Sequence, residues 1–267
     1  ANLKSKFKKG WKYLRANEPA LRGREDGKMD GDGWYGYVYP KSLDKQELPK
    51  IGVPQTVNRL QAFIDIRGEL YFNNVRINGI LPRADNAYSL WYLLGILNSQ
   101  PADYAFRRTA KPKDRDYFEA NKQFIAPLPI PAVKPPKQKP VATLAQKLAA
   151  LYGEKREIVA KVCRRIATDL HPTGLVATSP LLPELPNKLR DFHTHDMRSL
   201  LDLMESFAKS KFSPSQRESW QQYLTPEIGS IHALANQIAE LQLSLDALAF
   251  ELYGLSESQT QIVKTNT

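Results

Sequence analysis

Two carboxylates and a few histidines are the first residues to test for chemistry. Asp65 and Glu69 flank a turn in "FIDIRGELYF", where paired carboxylates could hold Mg²⁺ for phosphodiester hydrolysis. The lysine that such a nuclease site needs close by is missing: Tyr71 stands two residues after Glu69. Among the four histidines, only His193 and His195 in "DFHTHD" have metal-like spacing. His-x-His shares a face only in an extended strand, and no Cys/His cluster completes a tetrahedral set. Cys163, the single cysteine, lies among Val162 and Ile166 on an apolar stripe and reads as packed rather than nucleophilic. No Gly-x-x-x-x-Gly-Lys-Ser/Thr occurs, so a P-loop cradle for nucleotide phosphates is unsupported. The residues with a coherent role are cationic. Residues 1–140 hold 25 Lys/Arg against 14 Asp/Glu, and residues 141–267 hold 13 against 14, so the whole net charge of +10 originates in the first half. A one-sided excess points to a polyanion partner, nucleic acid ahead of a membrane surface.

The elements that must position these cations follow from periodicity. Leu3, Phe7, Trp11 and Leu14 recur at helical spacing with lysines between them, which predicts a basic amphipathic helix docked on its own domain. An aromatic strand is expected around Trp34 to Tyr39, with further strands at Lys50 to Pro54, Ala62 to Ile66 and Leu70 to Phe72. Arg67-Gly68 then reads as the turn of a hairpin. "YLLGILNSQPADYAFRR" reads as an apolar helix, a break at Asn98 to Pro101, and a second helix ending in Arg107 and Arg108. "IAPLPIPAVKPPKQKP" reads as a polyproline II linker. Beyond it, Leu144, Leu148, Leu151, Ile158, Val162 and Ile166 fall near heptad spacing. Ile231, Leu234, Ile238, Leu241, Leu245, Leu248 and Leu252 alternate strictly by three and four, the seam of a coiled coil or long helical hairpin. Gly254 is the expected C-cap, and Ser256 with Gln259 the expected capping box of one more helical turn. "HPTGLVATSPLLPELP" reads as a loop. The fold class is therefore α+β: a small mixed or antiparallel β domain with packed helices (1–131), a Pro-rich linker (132–141) and a helical scaffold (142–267). The longest apolar run, Leu90 to Leu97, is too short to span a bilayer, no secretory leader opens the chain, and one cysteine suits a reducing cytosol. The first residue is Ala1, which suggests a piece of something longer.

The ordered segments "WYGYVYPKSL", "LPKIGVP", "AFIDIRGELYFNN", "YLLGILNSQPADYAFRR" and "ANKQFIAPLPIP" together resemble the TaqI-like C-terminal specificity domain. This is the target recognition domain of N6-adenine DNA methyltransferases and type IIG restriction-modification enzymes. The ending "LAFELYGLSESQTQIV" resembles the helical tail of the same enzymes. The likeness covers roughly residues 11–131 and 217–263. It implies sequence-specific recognition of double-stranded DNA in a bacterial cytoplasm, by a chain that carries no catalytic residue or cofactor site of its own. The Asn/Asp-Pro-Pro-Tyr/Phe motif and the S-adenosylmethionine site would lie in an N-terminal methyltransferase domain of the same protein, with Mg²⁺ required if the parent also cleaves. Under this reading Arg59, Arg76, Arg83 and the Lys111-Lys113-Arg115 segment read bases, Lys41 and Lys50 contact phosphates, and Arg107 with Arg108 hold the basic segment against the DNA backbone. A different reading of the same residues is a non-catalytic protein-interaction scaffold, with a basic sheet domain and a coiled-coil-like hairpin.

Overall fold

A computed structural model describes residues 3–39, 42–72, 76–83, 87–170 and 185–266. The chain forms two compact units, residues 1–48 with 67–71 and residues 49–66 with 72–267.

The first unit contains α1 (Leu3–Lys6), α2 (Lys8–Ala16), α3 (Glu18–Arg22) and α4 (Arg24–Gly27). The apolar side of the N-terminal segment does dock on its own unit: the Trp11 ring lies 5.7 Å from Trp34 and 5.4 Å from Tyr35. The aromatic strand expected at 34–39 does not form, and residues 31–39 run through turns and bends. The backbone acceptors a strand partner would have satisfied go to a side chain instead. Arg24 Nη2 donates to the carbonyls of Trp34 (2.7 Å) and Gly36 (3.0 Å). Nor do residues 70–72 form the second arm of a hairpin. Gly68 takes φ +66°, and a Cβ there would run into the Glu47 carbonyl. The Tyr71 hydroxyl donates to Glu47 Oε1 at 2.6 Å, so the turn leads toward Glu47 rather than back along the preceding strand.

The second unit begins with β1 (Lys50–Pro54), β2 (Thr56–Val57), β3 (Phe63–Asp65) and β4 (Ile77–Ile80). β1 lies in the centre of an antiparallel sheet of order β3-β1-β4, with Ile51 opposite both Ile64 and Ile80. Ile51 and Val53 are fully buried beneath α5 (Leu90–Leu97) and α6 (Gln100–Thr109). Ser89 caps α5 by accepting from Tyr92 N at 3.0 Å. β5 (Phe118–Glu119) pairs with β2, and α7 (Lys122–Ile125) follows.

The Pro-rich stretch is not an extended spacer. Residues 132–134 enter α8 (Pro135–Leu170). Pro135 and Pro136 occupy its first turn, where a missing N–H costs nothing, and Pro140 lies inside the helix. Buried Gln138 pins the entry, donating to the carbonyls of Ala87 (2.9 Å) and Val133 (3.0 Å) and accepting from Ser89 N (3.1 Å). After α9 (Asn187–Arg190) and α10 (Met197–Ala208) comes α11 (Pro214–Tyr253), which holds all seven seam residues. Val141 and Leu148 share a core with Leu245 and Ile238, while Val162 and Ile166 share another with Trp220 and Leu224. That pairing sets α8 and α11 antiparallel, a helical hairpin rather than the coiled coil the 3-4 spacing left equally open. Gly254 caps α11 at φ +65°, and the Ser256–Gln259 capping box opens α12 (Glu257–Thr265). The loop expected over 171–186 lies mostly outside the described residues. Among the described residues, no helix is long and apolar enough to cross a membrane.

Candidate nucleic-acid interface

Residues 111–119 fold back on themselves. Lys113 N donates to the Tyr117 carbonyl (2.8 Å) and Glu119 N to the Lys111 carbonyl (2.9 Å), with Pro112 bridged to Phe118. At the tip, Tyr117 N reaches the Asp114 carbonyl and Arg115 adopts φ +54°. Backbone alternation puts Lys111 and Lys113 on one face of this hairpin, and both are exposed, as is Arg115. The hairpin is joined to the sheet domain through β5 and β2, and Lys113 Nζ donates to Thr56 Oγ1 at 3.1 Å. Gln55 extends the junction: its N–H donates to the Arg76 carbonyl and its carbonyl accepts from Ala120 N. Exposed Arg76 therefore enters β4 beside the base of the hairpin. Asp114, Asp116 and Glu119 balance the three hairpin cations, so anion preference here depends on placement of individual cations rather than on bulk charge.

The hairpin rests on α6. Asp103, buried at 4% exposure, accepts from Leu60 N through Oδ1 (2.5 Å) and from Arg107 Nε through Oδ2 (3.0 Å). The Arg107 guanidinium, held this way, lies 5.6 Å from the Phe118 ring centroid. Phe106 meets the same ring at 6.2 Å. Arg107 is thus a positioning residue for the hairpin, whereas Arg108 is exposed, over Tyr104. At the opposite end of α6, Asn98 makes two hydrogen bonds to Ala62, donating to its carbonyl (3.0 Å) and accepting from its N–H (2.9 Å). Asp246 of α11 accepts from Gln100 N at 2.8 Å, and Gln242 Nε2 bridges Asp246 to the Asn98 carbonyl. Burial raises the Asp246 carboxyl above the usual range, opposed by these donors and by nearby Arg59. The "LPIP" strap is fixed by Tyr92 Oη to the Pro131 carbonyl (2.8 Å) and Tyr253 Oη to the Pro129 carbonyl (2.7 Å). Burial pushes the Tyr92 phenol up to about 12.

Two expected contact residues are placed differently. Lys50 does not face solvent: it is 2% exposed and bonds Asp65 Oδ2 at 2.6 Å, across the β1–β3 register, with its ammonium 4.8 Å from the Phe72 ring. A phosphate cannot reach it, and its role is structural. Arg59 is half-buried, its Nε shielded from water without a hydrogen-bond partner, rather than displayed in an open loop. Arg83 is exposed, and Lys41 lies outside the described residues. Each carboxylate of the expected Asp65–Glu69 pair has a cation of its own: Asp65 faces inward to Lys50, and exposed Glu69 pairs with Arg67. Among the described residues, no group of three His, Cys, Asp or Glu is placed to hold a metal ion. His195 is occupied with the Lys188 carbonyl, and burial lowers His193 below the ordinary histidine range. Cys163 is fully buried, its thiol pushed up to about 11 by that burial, which suppresses thiolate chemistry.

Residues 4–130 match the TaqI-like C-terminal specificity domain. The specificity-domain segment thus spans the first unit, both sheets, α5, α6 and the hairpin. A domain of unknown function (DUF8810) matches residues 134–248, which take in α8 and most of α11. None of the curated proteins compared matches the chain. Asp103, which braces the hairpin through Arg107, and Asp246, which ties the first turn of α6 to α11, were not singled out in the sequence, and Asn98 was read only as a helix break rather than as the partner of Ala62. The Asp103/Arg107 spacing of four on a helix was a usable signal; nothing marked the contacts of the other two.

Proposed function

We propose that the chain recognises double-stranded DNA in a sequence-specific way, as a C-terminal part of a bacterial adenine-specific DNA methyltransferase or type IIG restriction-modification enzyme. The observation that carries the reading is a hairpin of exposed cations braced by buried polar contacts inside the specificity-domain segment. Lys111, Lys113 and Arg76 neutralise phosphates and set register. Arg115 and Arg83 are the candidates to reach base edges, arginine to guanine being the commonest pair. A methyltransferase domain elsewhere in the protein supplies the S-adenosylmethionine site and flips the target adenine; any Mg²⁺ belongs to cleavage by the parent enzyme.

The test is duplex binding by fluorescence anisotropy across a salt series, for the wild type and for Arg76→Ala/Lys111→Ala/Lys113→Ala. The triple variant is expected to lower the slope of log K against log salt by about 3, roughly one per phosphate contact. Wild-type binding without salt dependence, both alone and joined to a methyltransferase domain, overturns the reading and leaves the protein-interaction scaffold.

A further inference from the structure

The N-terminal helices carry a charge arrangement that their own folding does not explain. Between residues 1 and 17 the chain has six cations, Lys4, Lys6, Lys8, Lys9, Lys12 and Arg15, and no Asp or Glu. Lys8, Lys12 and Arg15 fall at i, i+4 and i+7 on one stripe of α2, where like charges repel. Lys8 and Lys9 occupy its first turn, the positive end of the helix dipole, with no acidic residue to offset them. Arg15 is paired with Glu18, and Lys4 sits 5.0 Å over the Trp11 ring. Lys6, Lys8, Lys9 and Lys12 are exposed and have no ion pair among the described residues. Locally this arrangement only destabilises; a polyanion laid along it reverses the sign.

A lipid surface and a nucleic-acid backbone make different demands on such a helix. Interfacial helices insert an apolar face into the acyl boundary. Here that face is already used: Trp11 packs on Trp34 and Tyr35, and Leu14 is partly covered. Phe7, 61% exposed, is the exception among the apolar stripe residues. What remains for a partner is the lysine stripe. The nine-residue α2 is about 13 Å long, and each strand of a duplex offers one phosphate charge per about 3.4 Å of axis, so roughly four acceptors lie along one groove edge beside α2 and the adjoining Lys6.

We infer that Lys6, Lys8, Lys9 and Lys12 form a second, sequence-independent contact with the phosphates of duplex DNA, separate from the hairpin of the second unit. This rests on the DNA-recognition reading. The experiment compares full-length wild type with Lys6→Gln/Lys8→Gln/Lys9→Gln/Lys12→Gln, its fold checked by circular dichroism. Binding to specific and unrelated duplexes is measured across salt, and sedimentation is measured with phosphatidylserine/phosphatidylcholine vesicles. The expected result is a slope smaller by about 3 to 4 on both duplexes, with the ratio of specific to unrelated affinity retained. If the wild type binds with salt dependence and the variant keeps its slope, this inference fails while the hairpin reading stands. Loss of vesicle binding with unchanged DNA binding assigns the helix to a lipid surface and also overturns it. Absent wild-type DNA binding removes both.

Discussion

Replacing Asp65 with asparagine separates a structural carboxylate from a catalytic one. Asp65→Asn keeps the side-chain shape but leaves the Lys50 ammonium, 2% exposed, facing a neutral amide where a carboxylate now sits at 2.6 Å. Breaking a buried ion pair from one side costs about 3–5 kcal/mol, because the surviving charge stays desolvated. The Phe72 face, 4.8 Å from the ammonium, is in contact before and after the substitution and so offers no new compensation. The expected loss is therefore about 3 kcal/mol or more, a hundredfold or greater drop in the folded-to-unfolded ratio. Lys50→Met should cost a similar amount by removing the cation opposite the buried carboxylate, whereas Lys50→Met with Asp65→Leu should be close to neutral. Urea unfolding followed by circular dichroism gives all three values and the coupling between the sites. A loss below about 1 kcal/mol for Asp65→Asn, the worth of an exposed pair, would refute the reasoning. So would Mg²⁺-dependent plasmid cleavage by the wild type that disappears in a folded Asp65→Asn protein.

Three further outcomes follow from the same geometry. A Cβ at Gly95 would lie 2.5 Å from Val141 Cγ1 and 3.3 Å from the Val141 carbonyl. Overpacking there, about 1–3 kcal/mol, outweighs the roughly 1 kcal/mol that alanine gains in helix propensity, so Gly95→Ala should lower the urea midpoint. Lys211 and Arg217 hold the Glu205 carboxyl down to about 2, from 4.5. Its stabilising contribution is complete above pH 4.5 and fades as pH falls toward about 2; Glu205→Gln should flatten the acid limb of a stability–pH curve. Arg107→Ala should weaken duplex binding through the displaced Phe118 while changing the salt slope little, and Arg107→Lys should not rescue it, because the planar guanidinium over the ring is lost.

What the sequence disclosed and what it concealed have separate physical origins. Lys50 to Pro54 was legible as a strand because β-branched residues over a short run have few other uses, and α11 because seven apolar residues kept the 3-4 spacing. Trp34 to Tyr39 misled because alternating aromatics also pack in glycine-punctuated turns, where Arg24 takes over the hydrogen bonding. The prolines of 132–141 misled because proline is equally at home in the first turn of a helix as in an extended linker. Lys50 could not be told from a surface lysine: the partner that draws it inward lies 15 residues on, across a register no local pattern fixes. The cations of the hairpin were legible as a group, but the division between Arg107, which braces, and Lys111, Lys113 and Arg115, which are displayed, depends on Asp103 and Phe118 meeting in three dimensions.

The Asp246 contact to Gln100 bears on where this chain can be cut and rejoined to a relative. The two family matches meet between residues 130 and 134, an inviting crossover point for building chimaeras. Yet Tyr92, Ile96 and Gly95 on one side of that point are covered by Val141 and Leu245 on the other, and the first turn of α6 is tied to α11 by Asp246. A crossover at 131 would pair one parent's α5–α6 surface with another's α8–α11 groove. Portability is therefore set by how well Gly95, Gln100, Val141, Leu245 and Asp246 match between parents, and a graft that carries this set along should keep its fold where a cut at the sequence boundary would not.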